Sequence, residues 1–214
     1  LHTIYCAATP EYGKERFHEK FSREIEHVKE RFPEALYVGV ADGARDNWVF
    51  LEPYTHRRIV DFYHAREYIS KAATAIFGRD QESRDAWVTD WSHRLKHTQG
   101  TAGRLLKELE VRRTHLDSKN FIERDEALRQ VIVYYSNNKS RMGYPNHLKR
   151  KLPLGSGVTE AACKTVVKQR LCVSGSRWKD GGASCVLALR TLKLTPGRWQ
   201  QFWSYVMRHG CTLY

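Results

Sequence analysis

The stretch "ALYVGVADGARDNWVFLEPYTHRRIVDFYHA", residues 35–65, decides the fold class of this chain. "ALYVGVAD" is a short apolar run without alternation, which is how a strand buried on both faces reads. "GARDNWVFLEPY" follows as a short helix and "HRRIVD" as another strand. "FYHAREYISKAATAIFG" continues as a helix that Gly78 closes. Strands alternating with helices predict an α/β unit whose sheet is at least partly parallel, with helices on its faces.

Upstream, "HTIYCAAT" is β-branched and aromatic and reads as a further strand, closed by Pro10. Phe17, Phe21, Ile25, Val28 and Phe32 then recur at helical spacing, and Pro33 follows the helix end. The chain starts on that strand-like run without a Met and is expected to be a segment of something longer. Downstream of Arg79 the pattern turns to helix only. Trp87, Trp91 and Leu95 form one stripe, Leu105, Leu106 and Leu109 a second, and Leu128, Val131, Ile132 and Tyr135 a third; all read as core packing. The expected organisation is therefore residues 1–78 as the first part of an α/β core, residues 79–151 as an all-α insertion, and residues 152–214 as a C-terminal helical part that completes the core.

Of 214 residues, 41% are apolar and 12% aromatic, enough to bury a core and too many for a disordered chain. No apolar run approaches the ~20 residues of a membrane span. Cys6, Cys163, Cys172, Cys185 and Cys211 are scattered and odd in number, with no C-x2-C pair, which reads as reduced thiols rather than a zinc site or a disulfide framework. The net charge of +12 is concentrated: residues 141–214 hold 13 Lys plus Arg and only 2 acids, Glu160 and Asp180, while residues 1–140 nearly balance. Clustered cations interleaved with Trp178, Trp199 and Trp203 point to a polyanion, nucleic acid first. A purely structural protein explains neither this asymmetry nor an acid in its midst.

Three acids stand where chemistry would need them. Asp42 ends the "LYVGVA" strand, where ligands of open α/β sheets collect, and Gly43 lets the backbone turn away from it. Equally, Asp42 could cap the following helix. Asp61 ends the next strand with His64 three residues on, a spacing that can fix a histidine tautomer or simply cap a helix. Glu160 falls in the first turn of a helix starting near Ser156, where the dipole favours an acid and Lys164 offers an i+4 partner. Its setting among Lys164, Lys168 and Arg170 also suits metal-dependent phosphate chemistry, which needs carboxylates beside a surface that holds a DNA backbone.

"VGVADGARDNW", "VDFYHAREYI", "PLGSGVTEAACKTVVKQRL", "SGSRW…GGA…VLALR" and "RWQQFW", in this order, resemble DDE transposases of bacterial insertion sequences. The resemblance covers nearly the whole chain, and its most specific piece is G-S-G-V-T-E-A-A-C-K followed by S-G-S-R-W. It implies an RNase H-like core with a mixed sheet and flanking helices, interrupted by an all-α insertion and predominantly helical overall. It assigns Asp42 and Glu160, 118 positions apart, as the second and third acids of the triad and as ligands of Mg²⁺ or Mn²⁺, in a site that holds two metals only together with a first aspartate. Asp61 and His64 match a supporting motif. Lys164, Lys168, Arg170, Arg177, Trp178 and Lys179 are the expected DNA contacts. The implied activity is DNA strand cleavage and strand transfer in the bacterial cytoplasm at the nucleoid, by a homo-oligomer acting on element ends and a target. The first aspartate of the pattern has no counterpart here, since "HTIYCAAT" carries no acid. That run maps to the core's third strand, so this segment alone is expected to be inactive, and its truncated sheet is expected to expose an edge that a partner or second copy covers. A DNA-binding module without catalysis and a metal-dependent nuclease are the competing expectations.

Overall fold

A computed structural model describes residues 3–9, 13–116 and 121–210. The chain divides into two compact units, one of residues 36–156 and one that joins residues 1–35 to residues 157–214. Helix predominates in both, and no helix among the described residues is long and apolar enough to cross a membrane.

In the unit of residues 36–156, strands β1 (Val38–Ala41) and β2 (Arg57–Val60) pair in parallel, with Val38 opposite Arg57 and Ala41 opposite Val60. Parallel neighbours need a crossover, and α2 (Arg45–Leu51) supplies it. Ile59 and Val60 of β2 are fully buried, whereas in β1, the run read as buried on both faces, only Gly39 is buried and Val38, Val40 and Ala41 are half-buried. Helix α3 (Phe62–Phe77) presents Ala65, Ile69, Ala72 and Ala73 to the core. The alanines among them let α4 (Gln81–His97) and α6 (Phe121–Asn138) pack against this face. Leu95 of α4, Leu105 and Leu109 of α5 (Thr101–Thr114), and Leu128 and Val131 of α6 fill the space between. Each such side chain contributes about 1.5–3 kcal/mol on burial.

Polar groups in this unit are spent on the backbone. The Tyr135 hydroxyl donates to the Ala65 carbonyl at 2.8 Å. Arg124 reaches from α6 to the Ala75 and Ile76 carbonyls at 2.6 and 2.9 Å, satisfying acceptors that the end of α3 leaves open. A 3₁₀ turn (Lys139–Arg141) and α7 (Tyr144–Lys149) close the unit. The helices of residues 79–151 thus share one core with β2 and α3.

The second unit contains α1 (Gly13–Arg31), α8 (Gly157–Ala162), a π-helical turn (Cys163–Lys168), α9 (Gln169–Leu171), α10 (Asp180–Leu194) and α11 (Arg198–His209). Among its described residues the buried apolar ones are Val166, Ala183 and Leu187. Polar side chains also bind it together. Arg198 of α11 makes a bidentate pair with Glu24 of α1. Arg190 of α10 donates to the Val166 carbonyl at 2.9 Å and to the Thr165 carbonyl, acceptors inside the widened π turn.

The strand expected at "HTIYCAAT" is not formed: residues 3–9 carry no regular structure, and the sheet of the described residues has two strands. His2 lies outside the described residues. A β-branched run supplies propensity but not a hydrogen-bonding neighbour, and the Tyr5 N–H is taken by the Thr195 hydroxyl at 3.2 Å. Cys6, Cys163, Cys172 and Cys185 are free thiols; Cys211 lies outside the described residues.

Candidate functional site

Asp42 sits one residue beyond the carboxyl end of β1, and it is exposed. One carboxylate oxygen, Oδ1, accepts from the Ala44 N–H and from the Asn47 side-chain amide, both at 2.9 Å. Its other oxygen has no hydrogen-bond partner among the described residues. The loop that carries it is gripped from α6. Tyr134 donates its hydroxyl to the Asp42 carbonyl at 2.9 Å, and the Asn138 amide donates to the Gly43 carbonyl at 3.3 Å. The Asn138 oxygen accepts from the Trp48 indole at 2.9 Å, which ties α2 to the same point. Burial pushes the Tyr134 phenol up, so it stays protonated and remains a donor.

Gly43 makes this grip possible. Its φ is +104°, a conformation L side chains avoid, and a Cβ there would stand 2.7 Å from the Tyr134 ring. The apolar periodicity of α6 does not mark Tyr134 and Asn138. Their i, i+4 spacing beside that stripe is the signal that was available.

Asp61 is fully buried at the junction of β2 and α3. Its Oδ1 accepts from the Tyr63 and His64 N–H groups at 2.7 and 3.4 Å, capping α3. Its Oδ2 accepts from the Ser156 N–H at 2.6 Å and from the Ser156 hydroxyl. The Phe62 N–H adds a bond to the Leu154 carbonyl at 2.8 Å, so residues 154–156 are fastened to the start of α3. Gly155 fits between because a Cβ there would come within 2.8 Å of the Tyr63 ring. Burial by itself would raise the Asp61 carboxyl; the donors of Ser156, Tyr63 and His64 outweigh it and hold the carboxyl below its ordinary value. The His64 Nδ1 stands 3.9 Å from Asp61 Oδ2, too far for a hydrogen bond, and is buried without a hydrogen-bond partner among the described residues.

In the other unit, Glu160 is exposed in the first turn of α8, and the π turn follows three residues later. Lys164, Lys168, Arg170, Arg177 and Lys179 are all exposed. Trp178 is half-buried, with the Arg170 guanidinium 5.4 Å above its ring. Among the described residues none of Lys164, Lys168, Arg177 and Lys179 has an ion-pair partner, so their charge is uncommitted. The structure therefore brings Asp42, Asp61 and His64 into one unit and Glu160 with the five cations into the other. Compared with protein-family models, curated proteins and solved structures, the chain matches none.

Proposed function

We propose that these residues form a catalytic-core segment of a DDE-type transposase of a bacterial insertion sequence, with β1 and β2 in an RNase H-like core and residues 79–151 as its all-α insertion. The observation that carries this reading is Asp42: an exposed carboxylate at the carboxyl end of a parallel strand, one oxygen open, its loop anchored by Tyr134 and Asn138. Glu160 supports it as an exposed acid on the helix that leads to Lys164 and Lys168, which have no ion-pair partner among the described residues.

Both carboxylates suit a hard divalent cation, being exposed oxygen donors with coordination capacity left. Mg²⁺ or Mn²⁺, when bound, supplies Lewis-acid activation of water or of a DNA 3′-hydroxyl for in-line attack on a phosphodiester. The chain's own contribution is positioning and charge. Tyr134, Asn138 and Asn47 fix the direction of Asp42. Asp61 and Ser156 fasten the segment that leads into α8. Lys164, Lys168, Arg170, Arg177 and Lys179 neutralise backbone phosphates of element ends and target. A second copy of the chain completes the active complex, which works at the bacterial nucleoid.

The test is Glu160→Gln in the full-length protein. The variant is expected to bind DNA carrying the element ends and not to cut it; retained cutting contradicts the assignment. A second reading, a DNA-binding module without catalysis, draws on the use of Asp42 Oδ1 as a turn acceptor. Under it the wild-type protein binds and never cuts. A nuclease would cut without joining, which a strand-transfer assay separates.

A further inference from the structure

Helices α4 and α5 enclose a groove of about 480 Å³ on the unit of residues 36–156. Its floor is aromatic. Trp87 lies half-buried with its ring edge-on to Phe77, centroids 6.3 Å apart, and 5.9 Å from Trp91. Its walls carry four cations and one acid, with Arg94 on one side and Arg104, Lys107, Glu108 and Arg112 on the other. Two of these cations are balanced: Arg94 pairs with Asp90 at 3.0 Å and Arg112 with Glu108 at 2.8 Å. Arg94 also covers the Trp91 ring at 4.4 Å, which leaves Trp87 as the aromatic surface for a ligand. Exposed Lys107 has no partner among the described residues. Arg104 commits only one terminal nitrogen, to the Gln99 carbonyl and the Thr101 hydroxyl, both at 2.9 Å.

A flat π surface flanked by uncommitted cations recognises a ligand that is flat and anionic at once. Unpaired nucleotides combine a stackable base with a phosphate one bond system away, and every base has such a face. A duplex hides its base faces in the stack and offers this groove only phosphate. The groove lacks the enclosed, converging polar groups that a small-molecule pocket needs.

We propose that this groove docks unpaired nucleotides of a DNA strand, with a base against Trp87 and phosphates against Lys107 and Arg104. The proposal rests on the DNA reading above and extends it to a surface that net charge does not reveal, since residues 1–140 nearly balance.

The experiment is fluorescence anisotropy of a labelled oligothymidine and of a labelled hairpin duplex, each titrated with wild type, Trp87→Ala, Trp87→Phe and Lys107→Gln. Trp87→Ala is expected to weaken the single strand by about tenfold and the duplex by less than about twofold, with Trp87→Phe recovering most of the loss. Lys107→Gln, at an exposed site that does not threaten folding, is expected to lower the salt slope for the single strand by about 0.7. Equal losses on both DNA forms without recovery by Trp87→Phe overturn the proposal, as does displacement of the oligothymidine by polyphosphate at matched charge. Duplex binding that depends on Lys164 and Lys168, together with single-strand binding indifferent to Trp87 and Lys107, overturns the groove and leaves the DNA reading intact. Binding of neither form overturns both.

Discussion

The two units commit their polar residues to different degrees. In residues 36–156, Asp61, Tyr134, Asn138 and Arg124 are spent on main-chain groups around one apolar core. In the unit of residues 1–35 and 157–214, few of the described residues are buried, and Lys164, Lys168, Arg177 and Lys179 stand exposed with no ion-pair partner among the described residues. Helix α11 even leaves Met207 85% exposed and Trp203 44% exposed. The first unit is built to hold a strand-end loop in one geometry. The second is built to keep charge available.

That contrast breaks first under core truncation. Leu109→Ala, at a fully buried position, is expected to cost about 3 kcal/mol, while Met207→Ala on α11 is expected to cost less than about 0.5 kcal/mol. Urea denaturation of both variants checks this, and similar losses would erase the distinction. Gly43→Ala comes next, because it forces a side chain into positive φ and against Tyr134. A loss of about 2 kcal/mol is expected, and Tyr134→Ala in the same chain is expected to remove the steric part of it.

The acid limb of stability sharpens the comparison further. Asp61 has a carboxyl held below its unfolded value, so the native state gives up this proton more readily than the unfolded chain. Its stabilisation is therefore complete above the ordinary aspartate value of about 4 and drains as pH falls toward the depressed native value. Asp61→Asn is expected to flatten that limb in thermal denaturation series; an unchanged limb would assign acid sensitivity elsewhere. The smallest effect belongs to the other unit. Lys164→Gln or Lys168→Gln is expected to leave the melting temperature unchanged and to lower the salt slope of duplex binding by about 1 each. An unchanged slope in both removes them from the DNA footprint.

Much of this was legible in the sequence because it depends on local periodicity. The stripes of Leu105, Leu106 and Leu109 and of Leu128, Val131 and Tyr135 are buried as their spacing predicts, and the two strands flanking α2 pair in parallel. Gly78 ends α3 as read. In the Trp87 stripe, Trp91 and Leu95 are buried, and Trp87 packs against the same core while also bordering an open groove. What escaped the sequence depends on distant partners. Asp61 meets Ser156 across 95 residues, and the Asn138 amide reaches Gly43 across the same separation, so no window along the chain contains either pair. Residues 3–9 failed for a related reason: strand propensity is local, but a strand exists only with a neighbour. The π turn after Glu160 has its Thr165 and Val166 carbonyls taken by Arg190 of another helix, a partner that residues 163–168 do not reveal.

The most direct test of the central claim is a paired binding and cleavage assay of the full-length protein. DNA carrying the ends that flank its own coding segment is incubated with Mg²⁺ and either wild type or Asp42→Asn. The account predicts that both bind within about twofold of each other and that only the wild type cuts, because the substitution removes transition-state stabilisation and leaves the phosphate contacts in place. Cutting by Asp42→Asn at the wild-type rate would contradict it.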